Sequence, residues 1–278
     1  MDAHQYRETS LQTWDEMAPG WDERREWLLG FTGPINEWLA GQVDPQPGQS
    51  ILDLAAGTGD LGFVAAERVG EDGKLLTTDF SPNMLEAARR NGERRGLSNV
   101  EYRVLDAERM DLDDDSFDGV LCRWGYMLMA DPAAALSETR RVLRDGGTLA
   151  FAVWQTPDRN PWAAIPGMTL IQRGHVPPPE PGAPGIFAMG EPDRVVELVT
   201  GAGFGEPRVE ELTFEWRYGA DDAWDTLTRL AGPLAAVIKG LPEEEQQATR
   251  AAVEEGLAQY RQGDELVVPA ACWGVVAS

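Results

Sequence analysis

Residues 51–62, Ile51-Leu52-Asp53-Leu54-Ala55-Ala56-Gly57-Thr58-Gly59-Asp60-Leu61-Gly62, carry the densest chemistry in the chain. A short apolar run turns on glycine and opens a helical run. Backbone N–H groups and the positive end of a helix therefore face whatever lies beyond the turn. Gly57, Gly59 and Gly62 satisfy G-x-G-x-x-G, a spacing that by itself suits a dinucleotide. Asp79 follows Gly59 by 20 residues and closes the next apolar run, where a carboxylate can accept both hydroxyls of a ribose. Asp53 separates the readings, because a carboxylate four residues before Gly57 repels a pyrophosphate and attracts an ammonium. Asp106 ends a third apolar run and can accept from the exocyclic amine of adenine. Ammonium, ribose and adenine along one edge describe S-adenosylmethionine.

A scaffold must bring these three acids to one edge, and the chain supplies its pattern. Apolar runs at 50–54, 74–79, 100–105, 117–122 and 147–154 alternate with helical runs at 60–69, from 81 onward and at 132–143. Ser81 reads as an N-cap with Pro82 in the first helical position. That alternation implies an α/β fold, a doubly wound and mostly parallel sheet with right-handed crossovers. Strand-like runs at 208–216 and 266–276, the latter broken by Pro269, suggest a hairpin-like pair at the sheet edge and seven strands in all. Residues 1–45 read as two or three amphipathic helices, rich in Trp14, Trp21, Trp27, Phe31 and Trp38. Residues 156–190 are Pro- and Gly-rich, with Pro177-Pro178-Pro179 and Pro181-Gly182, and read as a long lid or binding loop. Helical runs follow at 193–202, 221–230 and 243–262. The expected organisation is one domain: an N-terminal helical lid (1–45), a cofactor-binding core (46–154) and substrate-cap segments with edge strands (155–278).

With 24 basic and 47 acidic residues, and a net charge of −23, the surface repels phosphate backbones and anionic membranes. A small-molecule substrate is the expected partner, with no nucleic acid and no membrane; a homodimer is left open. Two cysteines and two histidines make a disulfide framework or a metal centre an unpromising reading. The first residues lack an apolar signal core and no run has the length of a membrane span, so the expected location is cytoplasmic.

Several motifs in series resemble a known family. They are Trp14-Asp15-Glu16-Met17-Ala18-Pro19-Gly20-Trp21-Asp22, the glycine motif, Thr78-Asp79-Phe80-Ser81-Pro82-Asn83-Met84-Leu85, Leu105-Asp106-Ala107-Glu108, Phe117-Asp118-Gly119-Val120 and Val142-Leu143-Arg144-Asp145-Gly146-Gly147. Over roughly half the chain this series resembles the class I S-adenosylmethionine-dependent methyltransferases, in particular the small-molecule group of ubiquinone and menaquinone biosynthesis. The resemblance implies a Rossmann-like methyltransferase fold and a cofactor site of Trp14, Trp21, Asp53, Ala55, Gly57, Thr58, Gly59, Asp79, Phe80, Met84, Asp106, Ala107, Arg123 and Trp124. Within it, Gly57 and Gly59 let the backbone approach the cofactor, and Asp53 lies near the methionine amino end. Asp79 holds the ribose, Phe80 and Met84 flank adenine, and Asp106 and Ala107 meet its edge. Arg123 and Trp124 lie beside the sulfonium or the methionine carboxylate, and Trp14 and Trp21 cover the site. Two positions depart from the family pattern: Asp145 stands where proline is common before Gly-Gly, and Trp21 where tyrosine is common.

The expected reaction is transfer of a methyl group to an O, N or C nucleophile on a small acceptor. The sulfonium methyl is already activated, so proximity and exclusion of water are the protein's main tasks. A base helps where the acceptor must lose a proton, and His175 and Tyr126 are the catalytic candidates. Trp162, Phe187, Trp216 and Trp224 suit an apolar or aromatic acceptor. Cys122 and Cys272 read as buried inert thiols, and 111–115 as a solvated loop. The competing readings are a protein that binds the cofactor without transferring methyl, and a nicotinamide-dependent oxidoreductase.

Overall fold

Strands that are buried on both faces read as continuous apolar runs, and this chain has a series of them. In the computed structural model, which describes residues 2–180, 182–219 and 222–278, they form β1 (Ser50–Leu54), β2 (Lys74–Asp79), β4 (Phe117–Arg123) and β5 (Leu143–Trp154). Between β2 and β4 in sequence lies β3 (Val100–Val104), an outer strand that stays largely exposed. These five strands are parallel, in spatial order β3-β2-β1-β4-β5. The chain winds outward from β1 to β3 and then returns to the other side of β1. The crevice beyond the carboxyl ends of β1 and β4 is thus the switch point where doubly wound sheets bind ligands.

The sheet continues through an antiparallel addition, β6 (Arg208–Gly219), the two-residue β7 (Arg261–Gln262) and β8 (Glu265–Ala277). β8 pairs with β5 on one side and with β6 on the other, so β6 forms the edge opposite β3. The pairing of 208–216 with 266–276 is as expected, but the second run is an inserted strand. Pro269 is tolerated there because the β5 ladder stops at Cys272, leaving the missing N–H of Pro269 without a partner to disappoint.

Ten α-helices occur among the described residues: α1 (Ala3–Glu23), α2 (Arg25–Val43), α3 (Asp60–Val69), α4 (Pro82–Arg94), α5 (Pro132–Val142), α6 (Pro161–Gln172), α7 (Pro192–Gly201), α8 (Ala223–Leu230), α9 (Pro233–Gly240) and α10 (Glu243–Leu257). Ser81 caps α4 by accepting from Met84 N, with Pro82 at its start, as the sequence pattern indicates. α1 lies against α4 and α8, while α2 packs on α3 and β5. Two helices were not legible. The 156–190 segment is not one long loop, since α6 occupies its middle; Pro161 starts that helix and Pro166 sits inside it. α9 begins at Pro233 after Gly232 and was likewise missed. The 243–262 run stops being α-helical at Leu257 and ends in β7. Pro181 and Asp221, which the sequence reading assigns to a loop and a helix start, lie outside the described residues. No helix is long and apolar enough to cross a membrane among the described residues.

Candidate active site

A cavity of about 770 Å³ opens over the carboxyl ends of β1, β2 and β4, beneath α1 and beside α8 and α10. This lies toward the upper end of the roughly 300–1,000 Å³ usual for ligand sites. Its near edge is the glycine turn. Ala55 has a φ of 51° and Gly57 of 56°, so the chain leaves β1 through two left-handed residues. Nothing stands within 4 Å of where a Cβ on Gly57 would be, and the backbone there borders open cavity.

Asp53, Asp79 and Asp106 line this edge together. Asp53 is fully buried: its Oδ2 accepts from Gly62 N at 3.0 Å, and its Oδ1 has no partner. Burial raises its pKa to about 8, against the lowering effect of the Gly62 N–H and of Arg123. Asp79 accepts from Gly57 N through Oδ2 and from Ser81 N through Oδ1, both at 2.9 Å. Burial lifts its pKa to about 6, opposed by those backbone N–H groups. Each carboxylate oxygen keeps a spare lone pair for a ligand. Asp106 accepts from Glu108 N at 2.9 Å, which stiffens the loop after β3. Ala107, Phe80 and Met84 complete this end.

Beyond β4 the character changes. Arg123 lines the cavity and donates to Asn36 Oδ1 of α2 at 2.8 Å. Trp124 is held at a φ of 61°, a conformation that a bulky residue adopts only when its surroundings fix it. Here the surroundings are its N–H on Ala152 O and its indole stacked on Trp154, with centroids 4.1 Å apart. Trp154 in turn meets Trp162, and Trp216 stacks on Trp27 and abuts Trp162 edge-on. These five indoles, with Tyr218, Leu227, Val253 and Leu257, wall the far half of the cavity. Asn160 fixes this wall: fully buried, it bonds both N–H and C=O of Ala271 in β8 and accepts from the Trp162 indole at 3.1 Å.

α1 closes the top. Trp14 and Trp21 line the cavity, and Trp21 Nε1 donates to Leu230 O in α8. Asp15 accepts from Ser81 Oγ, Asp22 pairs with Arg90, and Tyr6 donates to Leu128 O at 2.8 Å. Arg7 pairs with the buried Glu108, whose other oxygen accepts from Ala130 N, so one carboxylate joins the lid to the loops after β3 and β4.

Of the sequence candidates, Trp14, Trp21, Asp53, Ala55, Gly57, Asp79, Phe80, Met84, Asp106, Ala107, Arg123 and Trp124 all line the cavity. Others need correction. Tyr126 is fully buried and spends its hydroxyl on Thr139 Oγ1 at 2.7 Å, behind the sheet edge. His175 pairs with Glu245 at 3.1 Å, held in place by the loop after α6, and does not reach the cavity. Thr58 turns its hydroxyl to Asp60 Oδ2, itself held by Arg25, and so serves the start of α3. Gly59, at φ 86°, is required because a Cβ would run into the Phe63 ring, a packing constraint and not a ligand approach. Phe187 and Trp224 lie in the cap without lining the cavity. Sequence reasoning missed Arg7, Asn36, Glu108, Asn160 and Tyr218. Only Glu108, inside the Leu105–Glu108 motif, carried a signal that could have found it.

Comparison with known proteins agrees with this geometry. The family description "Methyltransferase domain" matches residues 45–166. The chain is 32% identical over 148 residues to aklanonic acid methyltransferase DauC of Streptomyces sp. (strain C5), a match covering 52% of this chain and 65% of that relative's length. It is 30% identical over 208 residues to the demethylmenaquinone methyltransferase of Deinococcus radiodurans, covering 71% of this chain and 85% of the relative. In fold it is similar to a solved crystal structure from Bacillus halodurans C-125, with a TM-score of 0.57 at 21% identity, covering 87% of this chain and 97% of that one. A glycine turn between two buried aspartates at a sheet switch point, and a relative matched over most of its length, lead to one assignment: the chain belongs to the class I S-adenosylmethionine-dependent methyltransferase family.

Proposed function

We propose that this chain transfers a methyl group from S-adenosylmethionine to the O, C or N nucleophile of a small apolar or aromatic acceptor, of natural-product or quinone-like type. The observation that carries this reading is the continuity of the cavity. One end is a carboxylate-and-glycine edge suited to an amine-bearing nucleoside, and the other is an indole-walled chamber suited to a flat apolar molecule. The fit to the cofactor rests on this chain's own atoms. Gly57 leaves space where any side chain would intrude, the Oδ1 of Asp53 lacks a protein donor, and Asp79 is preset on two backbone N–H groups. Asp53 would hold the ammonium, Asp79 the ribose hydroxyls, and Asp106 with Ala107 the adenine edge, with Phe80 and Met84 against the ring.

When bound, S-adenosylmethionine supplies a methyl group activated on a sulfonium. The chain's residues position the acceptor and keep water away. The stacked indoles give a flat acceptor area to lie on, and α1 seals the nucleoside end. Burial pushes the Tyr218 phenol well up, so it stays protonated and donates a hydrogen bond instead of taking a proton. Among the described residues lining the cavity, the single imidazole is His4, exposed at the rim beside Glu8. An acceptor acidic enough to lose its own proton, such as a phenol, an enol or a carboxylic acid, suits such a chamber.

The division of labour follows. Residues 46–154 hold the cofactor, 1–45 cover it and 155–278 shape the acceptor chamber, in one domain of a cytoplasmic enzyme that acts on a small molecule. The names of the relatives, which refer to aklanonic acid and demethylmenaquinone, support the acceptor class. The test is incubation of the purified chain with methyl-labelled S-adenosylmethionine and a panel of hydroxylated naphthoquinones, anthraquinones and phenolic acids, following S-adenosylhomocysteine. Labelled product is expected. If saturating S-adenosylmethionine neither binds nor raises the melting temperature, the reading is rejected.

A further inference from the structure

A buried threonine in a helix can satisfy its hydroxyl on the carbonyl four residues back. Thr13, Thr139 and Thr169 do so, donating to Thr9 O, Ala135 O and Ile165 O at 2.9, 2.8 and 2.8 Å. Thr226 in α8 does not: it is 8% exposed, and its Oγ1 has no partner among the described residues. Trp216 in β6 is 7% exposed, and its Nε1 has no partner either. Both residues line the cavity. A buried polar group without a partner costs stability, so its presence in a cavity wall points to a ligand that completes the bond.

The indole N–H gives that ligand a sign. It donates and never accepts, so the group that meets Trp216 Nε1 must bring an acceptor. Stacking on Trp27 and edge contact with Trp162 hold the indole plane, and with it the direction of the N–H. The wall around it offers no answering charge, because the indoles, Leu227, Val253 and Leu257 carry neither carboxylate nor imidazole. Tyr218 lies two residues along β6, on the same face as Trp216, and adds a phenol that burial keeps protonated. An amine would set its own N–H groups against these donors, whereas a ring ketone or quinone matches them.

We infer that Trp216 and Thr226 are specificity residues of the acceptor chamber, donating from Nε1 and Oγ1 to a carbonyl oxygen of a flat ring ketone or quinone. Calling that ligand the methyl acceptor rests on the proposed function; selection of the carbonyl does not.

The test compares wild-type protein with Thr226→Val and Trp216→Phe, using 5-hydroxy-1-tetralone and 5,6,7,8-tetrahydro-1-naphthol, a neutral pair that differs only in the ketone. Titration calorimetry is expected to show wild type preferring the ketone. Each variant should lose about three- to tenfold of that preference, as loss of one neutral hydrogen bond does. The infrared C=O stretch of bound tetralone should lie lower in wild type than in either variant, a shift that a packing role would not produce. Without ligand, Thr226→Val should melt no lower than wild type, since it removes a hydroxyl that the fold leaves unpaired. A lower melting temperature marks that hydroxyl as structural and overturns its part. Wild-type protein without a ketone preference, or variants that weaken both ligands equally, overturn the inference. S-adenosylhomocysteine titrated into the same wild-type preparation separates the two readings. Ketone preference without nucleoside binding refutes methyl transfer and keeps the carbonyl site, and nucleoside binding without ketone preference does the reverse.

Discussion

Replacing Asp53 by asparagine is expected to stabilise the ligand-free protein at pH 7 while weakening its hold on the cofactor. The Asp53 carboxyl, raised from 3.8 to about 8 by burial, keeps its proton in the fold long after the unfolded chain has lost it. A group raised in this way contributes stability that is complete below 3.8 and is lost as pH rises toward 8. At about 1.4 kcal/mol per pH unit, the deficit accumulated by pH 7 is ~4 kcal/mol. Asparagine never ionises, and its amide oxygen can still accept from Gly62 N, the bond that Asp53 Oδ2 makes at 3.0 Å. Its NH2 takes the place of the unpartnered Oδ1 and meets no acceptor there, which costs about 1–3 kcal/mol. The balance is a gain of ~2 kcal/mol, or about 5 °C in melting temperature for a domain of this size. The groups around Asp53 locate the diagnostic window. Asp79, raised to about 6, makes both proteins lose stability up to that pH, whereas above it Asp53 continues alone toward 8. Arg123 is its neighbouring cation, and Asp60 adds a repulsion. Scanning calorimetry of the ligand-free proteins from pH 6 to 8 should show a falling melting temperature for wild type and a much flatter line for Asp53→Asn. In the same preparations S-adenosylhomocysteine should bind at least about tenfold more weakly to the variant, since its ammonium draws the proton off Asp53 and so gains a charge-assisted contact that asparagine cannot make. A variant that falls as steeply as wild type over this window, or melts lower at pH 7, refutes the argument.

The two left-handed glycines should separate in kind. Gly57→Ala puts a methyl into open cavity, costs only about 1–2 kcal/mol of backbone strain and should weaken nucleoside binding; Gly59→Ala drives a methyl into Phe63 and should cost more stability. Arg7→Ala removes the pairing of the lid with Glu108 and should speed S-adenosylhomocysteine release several-fold in stopped-flow fluorescence, and it should lower the melting temperature because the buried Glu108 carboxylate loses its cation. Tyr218→Phe should weaken binding of an oxygen-bearing aromatic ligand by about three- to tenfold, as loss of one neutral hydrogen bond does, and leave nucleoside affinity unchanged. Equal affinity of both proteins for a hydroxynaphthoquinone would remove Tyr218 from the acceptor site.

The nucleoside edge was legible because its signals are local. Asp53, Gly57 and Asp79 are spaced by the period of a β-turn-α unit, and a parallel strand series has one economical way to carry their carboxyl ends to a common crevice. The acceptor chamber was not legible in this way. Trp27, Trp124, Trp154, Trp162 and Trp216 come from five elements, or the turns beside them, spread over nearly 190 residues, and no local spacing predicts that their rings stack. The errors have the same origin. His175 and Tyr126 sit where a base could stand in sequence, but packing turned one toward Glu245 and the other toward Thr139. The helix Pro161–Gln172 was hidden because its prolines read as punctuation and it is apolar without a clear polar face.

The sequence by itself determined the sheet, its switch point and three acids at one edge, because strand burial and turn geometry are written in neighbouring residues. Tertiary structure decided which of them meet a ligand, and how. It buried Asp53 until its carboxyl holds a proton to about pH 8, and tied Arg123 to an asparagine 87 positions away. It also inserted β8 beside β5, so that Asn160 could lock the indole wall. Burial, charge partners and ring stacking depend on residues that are distant in the chain, and only the folded packing brings them into contact.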